Sequence, residues 1–125
     1  MTEAIIKQHM ANGTPKSRAM YDRFVQILDE IGRYTTHPAK TTITFKGTRR
    51  GFCGARPKND NLIGYFDIMR ELEPDPRIRS TSPYTKRLYV HHFRISSIEE
   101  MDETFQGWIR EAYGVGQGDH LKKTE

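Results

Sequence analysis

Cysteine is almost absent from this 125-residue chain, and because Cys53 stands alone, no disulfide can form within it. Long apolar runs are missing too, since no run approaches the ~20 residues that a helix needs to cross a bilayer. The first ten residues lack the apolar core of a signal peptide. These absences predict a soluble, cytoplasmic protein that has no membrane partner.

Motifs for catalysis and for cofactors are also missing, because the chain has no glycine-rich phosphate loop, nucleophile elbow or paired-cysteine zinc spacing. His91 and His92 are neighbours on a predicted strand, so their side chains point to opposite faces and cannot share a metal. The small residues around Cys53 are typical of a packed strand and not of a nucleophile. The sequence therefore predicts no catalytic residue, no metal site and no cofactor.

Positive charge is concentrated in the middle of the chain. Residues 40–94 contain twelve Lys or Arg and five Asp or Glu, a formal charge of +7, whereas the other residues contain eight and eleven, a charge of −3. A basic segment of this kind attracts partners that carry phosphate. The alternative is that these side chains only keep the surface soluble and protect the sheet edges.

The clearest structural pattern is a strand followed by a helix in residues 86–114. Residues 86–95 alternate with the period of a strand. Ser97 with Glu100 matches a capping box, which begins a helix. Apolar residues spaced by three and four follow, and Gly114 is the predicted helix end.

A second helix and three further strands complete the predicted fold. Thr14 and Pro15 suit a helix start, and an apolar stripe continues to Ile31. Alternation and turn residues predict strands at 41–46, 51–56 and 62–69, and three prolines make residues 70–84 a long predicted loop. This order predicts an α+β fold, an antiparallel four-stranded sheet with the N- and C-terminal helices packed on one face.

The domain boundaries follow from the same pattern. Residues 15–114 are predicted to form a single α+β domain. Residues 1–14 are predicted to be a flexible arm, with a short frayed helix as the alternative, and residues 115–125 a flexible tail.

Basic residues of the predicted sheet and its loops are the candidates for binding nucleic acid or another anionic partner; they are Lys40, Lys46, Arg49, Arg50, Arg56, Arg77, Arg79 and Arg87. Tyr65, Tyr84 and Tyr89 lie among them in the sequence and are able to stack on bases. The second hypothesis is a small-ligand protein or an enzyme with a pocket near His92, Arg94 and Arg56. The third is a protein-interaction domain or a homodimer formed through a sheet edge.

Six stretches of the chain occur in a recognisable order; they are Tyr21–Phe24, Lys40–Lys46, Phe52 with Arg56-Pro57, Asp75–Arg77, His91–Ile95 and Trp108–Tyr113. Over residues 16–113 they resemble a bacterial family catalogued as domain of unknown function 5655. The resemblance implies a domain that occurs alone or as a tail on larger proteins, some of them similar to nucleases or defence systems. It implies no activity and no catalytic residue.

Overall fold

The computed structural model of the chain describes residues 2–85 and 87–121, and within them three α-helices accompany six strands. In chain order, these elements are α1 (Thr2–Ala11), α2 (Pro15–Ile31), β1 (Thr35–Pro38), β2 (Ile43–Lys46), β3 (Gly51–Lys58), β4 (Asn61–Ile68), β5 (Ile78–Thr85), β6 (Leu88–Ile95) and α3 (Glu103–Gly116). Two short 3₁₀ turns, Ile98–Glu100 and Asp119–Leu121, flank α3.

The strands form one sheet in the order β1-β2-β3-β4-β6-β5, and every neighbouring pair is antiparallel. The predicted α+β class is confirmed, but the prediction of four strands is wrong because the sheet has six. The two additional strands are its edges. β1 has only four residues, none with a large apolar side chain, and β5 contains Pro83, which is tolerated at an edge because one side of the strand needs no partner.

The core lies between the sheet and helices α2 and α3. Phe24 of α2 has its ring centroid 5.9 Å from that of Phe93 on β6. Trp108 of α3 lies 5.8 Å from Phe66 on β4, and the Phe66 and Phe93 rings are 6.1 Å apart. Phe105 of α3 contacts both Phe24 and Phe93. The two apolar stripes therefore share one face of the sheet, as their spacing predicted.

The helix ends match the prediction in α2 and differ from it in α3. Thr14 caps α2, and its hydroxyl accepts a hydrogen bond from the Ser17 amide at 3.3 Å. In α3 the cap is Asp102, whose carboxylate accepts from the amide of Phe105 at 3.0 Å. The Ser97 signal instead begins a separate 3₁₀ turn, and α3 continues through the predicted stop at Gly114 to Gly116.

Residues Thr2–Ala11 form a helix, which is one of the two alternatives that the sequence left open for this segment. Ile6 and Met10 pack against the core, and His9 Nε2 donates a hydrogen bond to the carbonyl oxygen of Ala39 at 2.6 Å. Lys86 and residues 122–125 lie outside the described residues, and the flexibility of either chain end stays a prediction. Within the described ranges, no helix combines the length and the apolar character needed to cross a membrane.

Candidate functional site

The face of the sheet opposite α2 and α3, here called the open face, carries a row of aligned polar and aromatic residues. The strand register pairs Thr44 with Gly54, Gly54 with Tyr65, and Tyr65 with His92. Residues directly opposite one another in a sheet share a face. These four residues therefore form one row across β2, β3, β4 and β6.

Tyr65 lies at the centre of this row, and Gly54 makes its position possible. A Cβ atom at residue 54 would lie 2.6 Å from Cε1 of Tyr65, so the ring occupies the space that any other residue would fill. The Tyr65 hydroxyl is hydrogen bonded to the hydroxyl of Thr44 at 3.3 Å. Desolvation by burial is the main reason that the pKa of Tyr65 is raised. Tyr65 is thus a fixed, neutral aromatic surface in the middle of the open face.

A groove of about 470 Å³, here called the arginine groove, runs beside Tyr65. The residues around it come from the end of the β1–β2 connection and from β3, β4, β5 and β6; they are Thr41, Thr42, Arg56, Ile63, Gly64, Tyr65, Arg79, His92, Phe93 and Arg94. None of these described lining residues is acidic. The groove therefore combines an apolar and aromatic floor with basic side chains.

Three arginines surround the groove from different strands. Ile63 pairs with Arg56 on one side and with Arg94 on the other, so the two arginines lie two strands apart, about 10 Å between their Cα atoms. Arg79 reaches the groove from the edge strand β5. In residues 2–85 and 87–121, no carboxylate forms an ion pair with Arg56, Arg79 or Arg94. Their charges are available to a ligand.

A hydroxyl group adds a further polar contact to the groove. The Oγ1 atom of Thr42 is buried and has no hydrogen-bond partner within the described chain. Because a hydroxyl both donates and accepts, it is able to complete the contacts of a ligand in this groove.

A second depression, of about 450 Å³, adjoins the arginine groove on the other side of Tyr65; its lining is Arg50, Gly51, Tyr65, Asp67, Tyr84 and Val90. Asp67 is only 3% exposed, and Arg50 Nη2 donates to its Oδ2 at 2.5 Å, whereas its Oδ1 has no hydrogen-bond partner among the described residues. Burial raises the pKa of Asp67 to about 6, and the nearby positive charge of Arg50 opposes this rise without cancelling it. The Arg50 guanidinium also lies 5.2 Å from the ring centroid of Tyr84.

The structure separates the eight basic residues that the sequence analysis treated as one set. Only Arg56 and Arg79 line the arginine groove, and Arg50 lines the second depression. The other exposed members, which line neither, are Lys40, Lys46, Arg49 and Arg87. His92 and Arg94, the candidates for a pocket with Arg56, lie along the same groove. Whether any of these residues binds a partner stays a prediction.

Arg77 has a structural environment instead. Its guanidinium forms ion pairs with Asp75 at 2.9 Å and with Asp102 at 2.8 Å, and it lies 4.7 Å from the ring centroid of Trp108. The hydrogen bond between Arg77 and Asp75 is the main cause that raises the pKa of Arg77 and lowers that of Asp75, whereas the pKa of Asp102 is lowered first by the Phe105 amide and then by Arg77. Arg77 therefore joins the start of β5 to the start of α3 and has no charge left for a ligand.

Sequence reasoning did not consider Asp67. The available signal was a single acidic residue between Phe66 and Ile68 in an otherwise apolar strand, which is costly to bury without a partner. The position of Arg79 at the groove was not predictable either, because the prolines around β5 predict a loop in residues 70–84.

The remaining candidates for chemistry are part of the core. His91 stacks on Phe66 with centroids 5.1 Å apart, and its Nε2 accepts a hydrogen bond from the Leu72 amide. Burial lowers the pKa of His91, so the ring is neutral. Burial also raises the pKa of the Cys53 thiol, which keeps it protonated. Within the described ranges, no three metal-ligating side chains of the His, Cys, Asp or Glu type converge.

These observations define an α+β domain with an arginine-lined groove on the helix-free face of its sheet. The sequence model of the family described as Domain of unknown function (DUF5655) matches residues 6–116. The chain belongs to this family, which confirms the resemblance seen in the sequence. It matches no curated protein and no solved structure.

Proposed function

We propose that this domain binds a small anionic ligand in the arginine groove, with Arg56, Arg79 and Arg94 as its charged contacts. The observation that carries the proposal is that three arginines line one groove and form no ion pair with a carboxylate of the described residues. The proposal combines two hypotheses from the sequence: an anionic partner bound by basic residues, and a ligand pocket near His92, Arg94 and Arg56.

The chemistry of the groove favours phosphate or carboxylate groups. A guanidinium presents two parallel N–H donors that match either group, and such charge-assisted bonds are about twice as strong as neutral ones. The floor, which includes Ile63 and Tyr65, contains little polar surface and reduces screening by water. Each arginine contact of this kind contributes about 1.5–3 kcal/mol.

The distribution of charge favours a compact ligand over an extended strand that runs across the whole sheet. A long anionic strand needs basic side chains along a continuous path. Lys46, Arg49 and Arg87 are exposed but do not line the groove, and Arg77 is neutralised by its two carboxylates. Arg56, Arg79 and Arg94, in contrast, line one cavity together.

Titration with inorganic phosphate, followed by amide chemical shifts, tests the proposal. We expect shifts at the groove residues and, in Arg56→Gln or Arg94→Gln, an affinity about tenfold lower because one charged contact is lost. Arg110→Gln is the matched control, since Arg110 is exposed on α3 and the charge change is identical. Equal weakening in all three variants would show that phosphate responds only to net charge and would refute the proposal.

Homodimer formation through a sheet edge stays a prediction. Edge strand β5 has two register shifts against β6 and contains Pro83, features that obstruct pairing with another strand. Light scattering at high protein concentration would measure the oligomeric state directly.

A further inference from the structure

The two cavities of the open face are parts of one continuous surface. Tyr65 lines both of them, and strand β4 passes along both cavities. Ile63 of β4 lines the arginine groove, and Asp67 of β4 lines the second depression. Four residues separate these positions, which corresponds to about 13 Å along a strand. A ligand that holds an anion at the arginine end can therefore present a second group near Asp67.

One oxygen of the buried Asp67 carboxylate has no hydrogen-bond partner among the described residues. Its Oδ2 is bound by Arg50, but its Oδ1 has lost contact with water and accepts no hydrogen bond in the described structure. Buried carboxylate oxygens are normally bonded, so an open acceptor beside a cavity points to a donor that arrives with a ligand. Tyr84, which also lines the depression, is 62% exposed on an edge strand and can shift without disturbing the core.

We propose, building on the anion site above, that the ligand is a nucleotide: its phosphate is held by the arginines, its base lies against Tyr65, and an amino group of the base donates to Asp67. Each part of this ligand meets a matching group. Arginine forks fit phosphate, an aromatic ring fits the flat base, and an unpartnered carboxylate oxygen fits an N–H donor. Adenine, guanine and cytosine carry such an amino group.

Calorimetric titration of the full chain tests this inference with inorganic phosphate and the 5′-monophosphates of adenosine, guanosine and cytidine. We expect at least one nucleotide to bind at least tenfold more tightly than phosphate. For the adenine base, purine riboside 5′-monophosphate is the matched probe, because it differs from adenosine monophosphate only by lacking the amino group. Its binding is expected to be about tenfold weaker, since one hydrogen bond to a charged group is lost.

Asp67→Leu identifies the residue responsible. In this variant the two purine nucleotides are expected to bind equally, whereas Asp22→Leu, a control at an exposed position on α2, is expected to keep the tenfold difference. Circular dichroism of Asp67→Leu must match that of the wild type, which shows that the variant is folded. If the variant does not fold, the comparison of adenosine monophosphate with purine riboside monophosphate on the wild-type protein still tests the inference.

The outcomes separate the inference from the proposed function. If no nucleotide binds more tightly than phosphate, or if removing the amino group has no effect, the nucleotide inference is wrong, while arginine-dependent phosphate binding would still support the anion site. If phosphate and nucleotides all fail to bind, both are wrong. A tetra-adenylate strand that binds more tightly than adenosine monophosphate would assign the nucleotide to the end or loop of a nucleic acid; the reverse order would assign it to the free nucleotide.

Discussion

Replacing Asp67 with Asn tests the electrostatics of the open face, because Asn has nearly the same shape but cannot ionise. The Asp67 carboxyl is 3% exposed, and burial raises its pKa from 3.8 to about 6. The folded protein therefore holds the proton of Asp67 more tightly than the unfolded chain does. Protonation of this one group favours the folded state.

The sign and size of the pH effect follow from these two pKa values. Well below pH 3.8 the carboxyl is protonated in both states, and well above pH 6 it is ionised in both. Between these values the folded state binds more protons, so its stability falls as the pH rises. A difference of roughly two pKa units, at 1.36 kcal/mol each, corresponds to a loss of about 3 kcal/mol.

Urea unfolding of the wild type and of Asp67→Asn at several pH values from 4 to 8 measures this effect. We expect the free energy of unfolding of the variant, relative to the wild type, to increase by about 2 kcal/mol between pH 4 and pH 6.5 and then to level off, because part of the total change occurs below pH 4. Other carboxyl groups, such as those of Asp75 and Asp102, are present in both proteins and cancel in the difference. The ion pair with Arg50 forms only when Asp67 is ionised, and its effect is already included in the pKa of about 6. A difference that stays constant across this range would refute the assigned burial of the carboxyl.

Three further predictions rest on single contacts. Gly54→Ala is expected to destabilise the protein by about 1–3 kcal/mol and to weaken phosphate binding, because the new methyl group would lie 2.6 Å from the Tyr65 ring. Gly107→Ala is expected to stabilise the protein by about 0.5–1 kcal/mol, because Gly107 lies inside α3 and a Cβ atom there would have no neighbour within 4 Å. Urea unfolding that ranks the two variants in the opposite order would contradict this prediction. Arg77→Ala is expected to cost about 2 kcal/mol of stability, since two carboxylates lose their partner, while phosphate affinity stays within twofold of the wild type; a large loss of affinity would show that Arg77 belongs to the site. Cys53 is expected to react with a thiol reagent only in denaturant, because its thiol is buried and its raised pKa keeps it protonated; fast reaction in the native protein would show an opening of β3.

The parts of the fold that the sequence predicted are those that bury apolar side chains. The stripes containing Phe24 and Trp108 had no alternative to a shared core, and both helices lie where the pattern indicated. The edge strands β1 and β5 bury little, and their pairing depends on backbone hydrogen bonds that almost any side chain permits. A pattern of side chains carries no signal for such strands, which explains why both were missed.

Only single residues of the candidate site were predictable, because their proximity depends on the order and register of the strands. Alternation along β6 already placed His92 and Arg94 on one face. The alignment of Arg56 with Arg94 across Ile63 depends on the strand order β3-β4-β6, which the local sequence pattern does not determine.

Arg77 and Arg79 show why counting charges overstates a binding surface. They are two residues apart and equal in any sequence count, yet Arg77 forms ion pairs with Asp75 and Asp102 beside Trp108. Arg79 lines the arginine groove and forms no ion pair with a carboxylate of the described residues. The basic residues of the segment 40–94, whose net charge is +7, thus include an arginine that stabilises the fold and arginines that line the groove. The candidate site is distinguished by three arginines that line one groove and form no ion pair with a carboxylate among the described residues.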